Sequence, residues 1–114
     1  MIFINAKEQR MYRGDTFIFP VEIRLGNNLD YTMYNIEDSD EIYFAVMEPN
    51  CKWEEALIRK KFYGSSLKLI PQIVLSPDDT TYVLPGTYYY QLKLRKTTGE
   101  VVTLMPRTFF RILE

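Results

Sequence analysis

The sequence contains no histidine and only one cysteine, at position 51. Without histidine, neither a Ser-His-Asp nor a Cys-His catalytic arrangement can form. A single cysteine excludes an intrachain disulfide, and one thiolate without histidine is too small a ligand set for structural zinc. We therefore expect no metal site, no bound cofactor and no enzymatic activity.

An excess of either charge is also missing, because 14 basic and 15 acidic residues leave a net charge of −1. This balance removes the electrostatic argument for a general nucleic-acid binder or for a protein attracted to anionic membranes. The densest basic stretch is Arg59-Lys60-Lys61. On a strand these side chains would divide between two faces, which favours a solvated sheet edge. The sequence thus predicts neither nucleic acid nor membrane as a partner.

Long hydrophobic runs are missing as well. The first residues, MIFINAKEQRMYR, hold an apolar run too short for a signal peptide or a membrane anchor, so we expect folding in a cytoplasm. Gly86 and Gly99 are isolated, and no phosphate-cradling loop is present. Arg13-Gly14-Asp15 matches the integrin-type tripeptide, but a glycine turn that opens a strand explains it better.

The 114 residues correspond to one domain, residues 1–114, with 46% hydrophobic and 25% charged residues. The aromatic fraction of 15% favours β structure. Alternation with a period of two predicts strands at residues 41–47 and 87–94. In the second, one face holds Tyr88, Tyr90, Leu92 and Leu94.

Further alternating runs lie between turn signals. They predict strands at residues 16–25, 67–75, 101–105 and 108–113, and in the second half of residues 53–62. Residues 1–5 could add a short first strand, and residues 31–34 could form a short extended piece. Ser76-Pro77-Asp78-Asp79 predicts one short helical turn near residues 77–82, with Ser76 as N-cap. The pattern is typical of an all-β, antiparallel, immunoglobulin-like β-sandwich of about seven or eight strands. It lacks the disulfide and the core tryptophan of antibody domains.

Candidate docking residues follow from this arrangement. Pro20 lacks a backbone donor and suggests an edge or a bulge, while Tyr89 points outward from its strand. The predicted interface therefore lies on the edge at residues 16–24 and on the face around Tyr89, and comprises Phe19, Pro20, Glu22, Tyr89 and Gln91. The carboxylate pairs Asp38/Asp40 and Asp78/Asp79 lie in turn-like segments, where capping and solvation explain them better than acid–base catalysis.

Four stretches of the chain, taken in order, resemble a known family. They are RGDTF at 13–17, EIYFAV at 41–46, LSPDDT at 75–80 with LPGTYYY at 84–90, and GEVVTL at 99–104 with TFFRI at 108–112. Their order and spacing are similar to those of small phage and prophage structural domains, in particular the N-terminal immunoglobulin-like domain of the phage baseplate upper protein. In that protein further domains follow, whereas this sequence ends at Glu114.

The resemblance implies a non-enzymatic structural or assembly subunit of a phage or prophage particle, in its tail, baseplate or head-associated parts. It brings no catalytic residues. The implied partners are other phage or prophage structural proteins, with a homo-oligomer as one form of assembly, and the implied location is the host bacterial cytoplasm during assembly and then the virion. The alternative is a carbohydrate- or peptide-binding sandwich in which Tyr31, Trp53 or Tyr89 provides a stacking platform.

Overall fold

The computed structural model describes all residues from Met1 to Glu114, and the chain folds as an all-β, sandwich-like domain. Eleven strands occur in the order β1 Ile2–Ile4, β2 Gln9–Tyr12, β3 Phe17–Pro20, β4 Ile23–Gly26, β5 Tyr31–Met33, β6 Glu41–Met47, β7 Ile58–Tyr63, β8 Gln72–Leu75, β9 Gly86–Arg95, β10 Val101–Thr103 and β11 Thr108–Leu113. Short helical segments are the 3₁₀ turn Trp53–Glu55, α1 Gly64–Leu69 and α2 Pro77–Thr80. None of the helices has the length and apolar character needed to cross a membrane.

The largest sheet has the strand order β2-β11-β9-β6-β7, with β10 paired to β9 beyond the end of β11. Its pairings are antiparallel except for β2, which runs parallel to β11. A second sheet pairs β3 with β8, and a third has the order β1-β4-β5. The predicted antiparallel character therefore holds for every pairing except one, and the strand count exceeds the predicted seven or eight.

The core lies between the large sheet and the β3-β8 sheet. Aromatic rings cross this space: Phe19 on β3 lies 5.9 Å from both Phe44 on β6 and Tyr90 on β9, measured between ring centroids. Phe17 on β3 meets Phe110 on β11 at 5.9 Å. Nineteen buried residues form one continuous cluster, so the two layers share a single hydrophobic core.

The predicted alternation is confirmed in the two strands where it is clearest. In β6, Ile42, Phe44 and Val46 are fully buried, and in β9 the even-numbered residues from 88 to 94 face the core. The helical turn is also confirmed. Asp79 in α2 accepts a hydrogen bond from the Ser76 backbone N–H at 2.7 Å, so this carboxylate caps the helix.

Two predicted strands have a different structure. Residues 16–25 form two strands, because β3 pairs with β8 whereas β4 pairs with β1 and β5, and the partner changes at Glu22. Residues 67–69 belong to α1 instead of a strand. Pro71 restricts Ile70 to an extended conformation, with φ −135° and ψ 97°, so the helix ends there and β8 begins after it.

The corner before β9 is held by a local hydrogen bond. Leu84-Pro85-Gly86 turns the chain, and the hydroxyl of Tyr88 donates back to the carbonyl of Leu84 at 2.5 Å. Nearby, the backbone N–H of Gly14 donates to Thr80 Oγ1 at 2.9 Å, and Gly14 has a positive φ of 81°. The Arg13-Gly14-Asp15 segment is therefore the expected glycine turn, and it is fastened to α2.

Candidate docking surface

The large sheet presents one face to the core and the opposite face to solvent. We call the second one the outer face. Because directly paired residues share a face, the strand register assigns its members. They are Arg10, Tyr12, Glu41, Tyr43, Ala45, Met47, Arg59, Lys61, Tyr63, Thr87, Tyr89, Gln91, Lys93, Arg95, Val101, Thr103, Phe109, Arg111 and Leu113.

The outer face is strongly basic although the chain is not. Its strand residues include six basic ones, from four different strands, and Glu41 as the only acidic one. These strand residues carry a charge of +5, while the whole chain carries −1, so the remaining residues together carry −6. One of the remaining acids, Glu8 just before β2, pairs with Arg10 and Arg111 at one end of the face. Charge is thus segregated to a degree that the overall composition conceals.

Tyr89 belongs to an aromatic pair at one end of the outer face. Its ring stacks on Phe109 with a centroid distance of 5.1 Å and an interplanar angle of 27°. The Arg111 guanidinium lies 5.7 Å from the Phe109 ring centroid and is bonded to Glu8. Phe109 remains 42% exposed, so the pair offers a rigid apolar surface next to a cation.

Gln91 is tied to its own domain. Its side-chain amide donates to the carbonyl of Met105 at 3.0 Å, where the chain leaves β10 and passes Pro106 to enter β11. Gln91 is half-buried and therefore positions this kink more than it presents a free donor.

A loop covers the centre of the outer face. Ala45 and Met47 belong to this face by register, yet both are fully buried. The segment around the 3₁₀ turn packs against β6, and Lys93 Nζ lies 4.5 Å from the centroid of the Trp53 ring. Arg107 donates to the carbonyl of Cys51 at 2.6 Å and fastens the loop from the other side. Two separate exposed ends of the face remain.

The edge at residues 16–24 contains the other three predicted interface residues. Phe19 is buried in the core, in contact with Phe44 and Tyr90, and its proposed place in an interface is wrong. Pro20 and Glu22 are exposed. The backbone N–H of Val21 donates to the carbonyl of Pro71 on the β8 side. Because successive backbone groups of a strand alternate in direction, the Pro20 nitrogen faces away from β8, where the strand has no partner and no hydrogen bond is lost. Proline here blunts an open strand edge.

The same edge borders a cleft with a volume of about 490 Å³. Arg24 lines it and places its guanidinium 4.2 Å from the Tyr31 ring centroid, with Glu22 at 3.4 Å. The Nε atom of Arg24 is shielded from solvent and has no hydrogen-bond partner. The predicted platform residue Tyr31 is therefore occupied by a cation of its own chain.

The acidic segment before β6 has a structural role that its sequence conceals. Asp40 is 1% exposed, although the surrounding residues are polar. Its carboxylate accepts hydrogen bonds from the hydroxyl of Tyr34, the backbone N–H of Glu37 and the backbone N–H of Thr97, at 3.1, 2.9 and 3.1 Å. Asp40 thereby joins the entry to β6 to the loop after β9, and Asp38 pairs with Lys68 at 3.0 Å.

Tyr34 should report on this network through its titration. Burial, together with the hydrogen bond and the charge of Asp40, raises the pKa of Tyr34 from the ordinary 10.0 to about 12. The native state thus favours the neutral phenol, and this contribution to stability is complete below pH 10 and is lost as the pH rises towards 12. In an NMR titration of ¹³C-labelled tyrosine, we expect the pKa of Tyr34 to lie above the ordinary 10.0 and to be lower in the Asp40→Asn variant than in the wild type. An unchanged pKa of Tyr34 in that variant would contradict the network.

The remaining charged candidates also have structural partners. Lys60 points inward and pairs with Asp79 at 3.0 Å, while Arg59 and Lys61 project to the outer face, so the predicted division of the basic stretch is confirmed. Burial opposes ionisation of Asp79, but its bonds to Lys60 and Ser76 outweigh burial and lower the pKa of Asp79. No group of three or more Cys, Asp or Glu side chains is arranged to hold a metal ion.

Sequence reasoning singled out Tyr89 and Gln91 but missed the basic members of the outer face. Arg59 comes from β7, whereas Lys93 and Arg95 come from β9, and only the pairing of both strands with β6 places the three on one face. The alternation in β7 and β9 was the available signal, since it places these residues opposite the buried ones. The sequence matches no known family model and no curated protein.

Proposed function

We propose that the chain is a non-enzymatic structural subunit of a phage or prophage particle, in its tail, baseplate or head-associated parts, and that it acts through protein–protein contacts. The four stretches that resemble the phage baseplate family fall on ordered elements of the fold, namely the turn before β3, β6, the α2–β9 corner and the β10–β11 segment. On this proposal it is made in the host bacterial cytoplasm and then enters the virion.

The finer assignment to the immunoglobulin-like fold belongs to the same proposal and is supported by strand pairing. In immunoglobulin domains strands B and E pair in one sheet, and strands G, F and C, extended by C′, form the other. Here β3 pairs with β8, and the large sheet has the order β11-β9-β6-β7. If β3 is strand B and β6 is strand C, then β8, β9 and β11 take the places of E, F and G in chain order.

The corner before β9 gives independent support. Many immunoglobulin-like domains have a tyrosine at the E–F corner whose hydroxyl bonds to the backbone a few residues upstream. The bond from Tyr88 to Leu84 has this geometry. In antibody domains the second disulfide cysteine comes two residues after that tyrosine. The corresponding position in this chain is occupied by Tyr90. Tyr90 meets Phe19 of β3 and Phe44 of β6, so an aromatic cluster fills the place of the disulfide and tryptophan.

The observation that carries the docking role is the outer face near Tyr89. Aromatic and arginine side chains are enriched at protein interfaces, where rigid rings lose little conformational entropy on binding. The stacked pair of Tyr89 and Phe109, flanked by Arg111, has this composition. By contrast, the rings of Tyr31 and Trp53 already contact Arg24 and Lys93, which leaves the carbohydrate-binding alternative with less support.

The test uses the proteins encoded by the genes beside this one. Each is purified and its binding to the wild-type chain is measured by biolayer interferometry, and again with Tyr89→Ser/Phe109→Ser. We expect a particle protein among the neighbours to bind the wild type and to bind the variant about tenfold or more weakly. The matched control Leu29→Ser/Leu69→Ser removes two apolar side chains that are 99% and 84% exposed outside both predicted interface surfaces, and it should bind as the wild type does. Metabolic neighbours and glycan-array binding by a monomer would overturn the proposal.

A further inference from the structure

A second exposed surface lies at the α2–β9 corner, away from the outer face. A cleft of about 450 Å³ is bordered there by the apolar side chains of Leu57, Tyr82 and Leu84. These are 47%, 93% and 74% exposed, which is unusual for large apolar residues gathered in one place. We call this cleft the acidic corner, because Glu48 and Asp78 also line it.

The acids of this corner are available to a partner. Neither Glu48 nor Asp78 makes an ion pair or a side-chain hydrogen bond within the chain, and both are exposed. The neighbouring Asp79 differs, because it is neutralised by Lys60 and caps α2. The corner therefore combines exposed apolar surface with two uncompensated negative charges, and it fits a partner that carries apolar groups and cations.

The outer face supplies that chemistry at its end distant from Tyr89. Strand register gathers two tyrosines and three basic residues there, which we call the basic end: Tyr43, Lys61, Tyr63, Lys93 and Arg95. Lys61 is bound to Glu41 at 3.0 Å and lies 5.0 Å from the Tyr63 ring centroid. Arg95 has no ion-pair partner and is exposed. The nearby acids Asp38 and Glu100 are each paired with a lysine.

The two surfaces cannot meet within one molecule. The basic end surrounds Glu41 and Tyr43 at the start of β6, whereas Glu48 of the acidic corner follows the end of that strand. Seven residues of extended chain separate them by about 20 Å. Because the two complementary surfaces lie at opposite ends of a rigid sheet, they can contact each other only between two molecules.

We propose that the chain associates with itself head to tail, the basic end of one copy docking against the acidic corner of the next. Lys61 and Arg95 of one copy would face Glu48 and Asp78 of the other, while the tyrosines cover the exposed apolar side chains. Such a contact is heterologous, so repetition closes a ring or extends a filament. It deepens the proposed assembly role and rests on it, but it uses a different part of the outer face from the Tyr89–Phe109 pair.

Sedimentation velocity of the purified chain tests this proposal with a charge exchange. We expect the wild type to associate as its concentration rises at low ionic strength, and less so in high salt. Glu48→Lys/Asp78→Lys and Lys61→Glu/Arg95→Glu should each weaken association by about tenfold or more. An equimolar mixture of the two should associate again, because each variant restores the charge pairing that the other has lost.

The control Asp15→Lys/Asp30→Lys makes the same change in net charge at two exposed acids outside both surfaces, and it should associate as the wild type does. Near-UV circular dichroism verifies that every variant is folded. A wild type that stays monomeric up to about millimolar concentration, a corner variant that associates normally, or a mixture that fails to associate would each overturn the proposal. Because no other protein is present, these outcomes leave the neighbour-binding test of the proposed function untouched.

Discussion

Replacing Phe44 with alanine is expected to lower the free energy of unfolding by about 3 to 5 kcal/mol, the range for truncating a large buried aromatic side chain. Phe44 is fully buried at the middle of β6. Its ring contacts those of Phe19, Tyr90 and Phe110 with centroid distances of 5.9, 6.1 and 6.2 Å. Removing it leaves a cavity between the two layers, and a single domain has only about 5 to 15 kcal/mol of stability in total.

Urea denaturation followed by far-UV circular dichroism measures this loss as a fall in the midpoint at unchanged slope. Phe109→Ala is the matched control, since it removes the same side chain from β11, two strands away in the same sheet, where the ring is 42% exposed. We expect its cost to be less than half that of Phe44→Ala. Equal losses would mean that the cluster of Phe19, Phe44 and Tyr90 does not hold the layers together.

The strands that bury one whole face were predictable from the sequence. In β6 and β9 every second residue packs into the core, so alternation alone gives both their extent and their orientation. The capping turn at Ser76 was equally predictable, because its signal is local. Sequence patterns therefore suffice to predict an element when its stability comes from local hydrogen bonds or from one continuous buried face.

Elements that depend on distant partners were not predictable. Apolar residues at 67, 69, 73 and 75 alternate as in a strand, yet only Leu67 of the first two reaches the core and Leu69 is 84% exposed. The break between β3 and β4 leaves no trace in the alternation, because Phe19, Val21 and Ile23 are all buried across it. It arises from a change of neighbouring strand, which is a property of the assembled sheets.

The candidate docking surfaces show the same division. Tyr89 was identifiable as outward from its own strand. The charge of +5 on the outer face was not, since its cations come from β2, β7, β9 and β11 and acquire a common face only through register. Net charge suggested an ordinary surface, whereas strand pairing separates the charge into a basic face and an acidic remainder.

The two glycines Gly86 and Gly64 differ in how much space the fold leaves for a side chain, and the sequence does not reveal this difference. Gly86, in the Leu-Pro-Gly turn, looks indispensable in the sequence, but it begins β9 and an added Cβ would lie 3.7 Å from the nearest atom, the ring of Tyr88. Gly64 carries no such signal. It is buried at the start of α1, where an added Cβ would lie 1.9 Å from the carbonyl oxygen of Glu37.

Gly64→Ala is therefore expected to cost about 3 kcal/mol or more, at the upper end for an overpacked site, because backbone has to move. The displaced segment is the turn of residues 37–40, whose Asp40 carbonyl accepts the Gly64 N–H at 2.7 Å. Chemical denaturation measures the loss, and Gly86→Ala should change stability by less than about 1 kcal/mol. The Tyr34 titration adds a local readout: if the turn is displaced, the bond to Asp40 weakens and the pKa of Tyr34 falls towards its ordinary value. A Gly64→Ala variant as stable as Gly86→Ala would show that the 37–40 turn does not pack against α1 in this way.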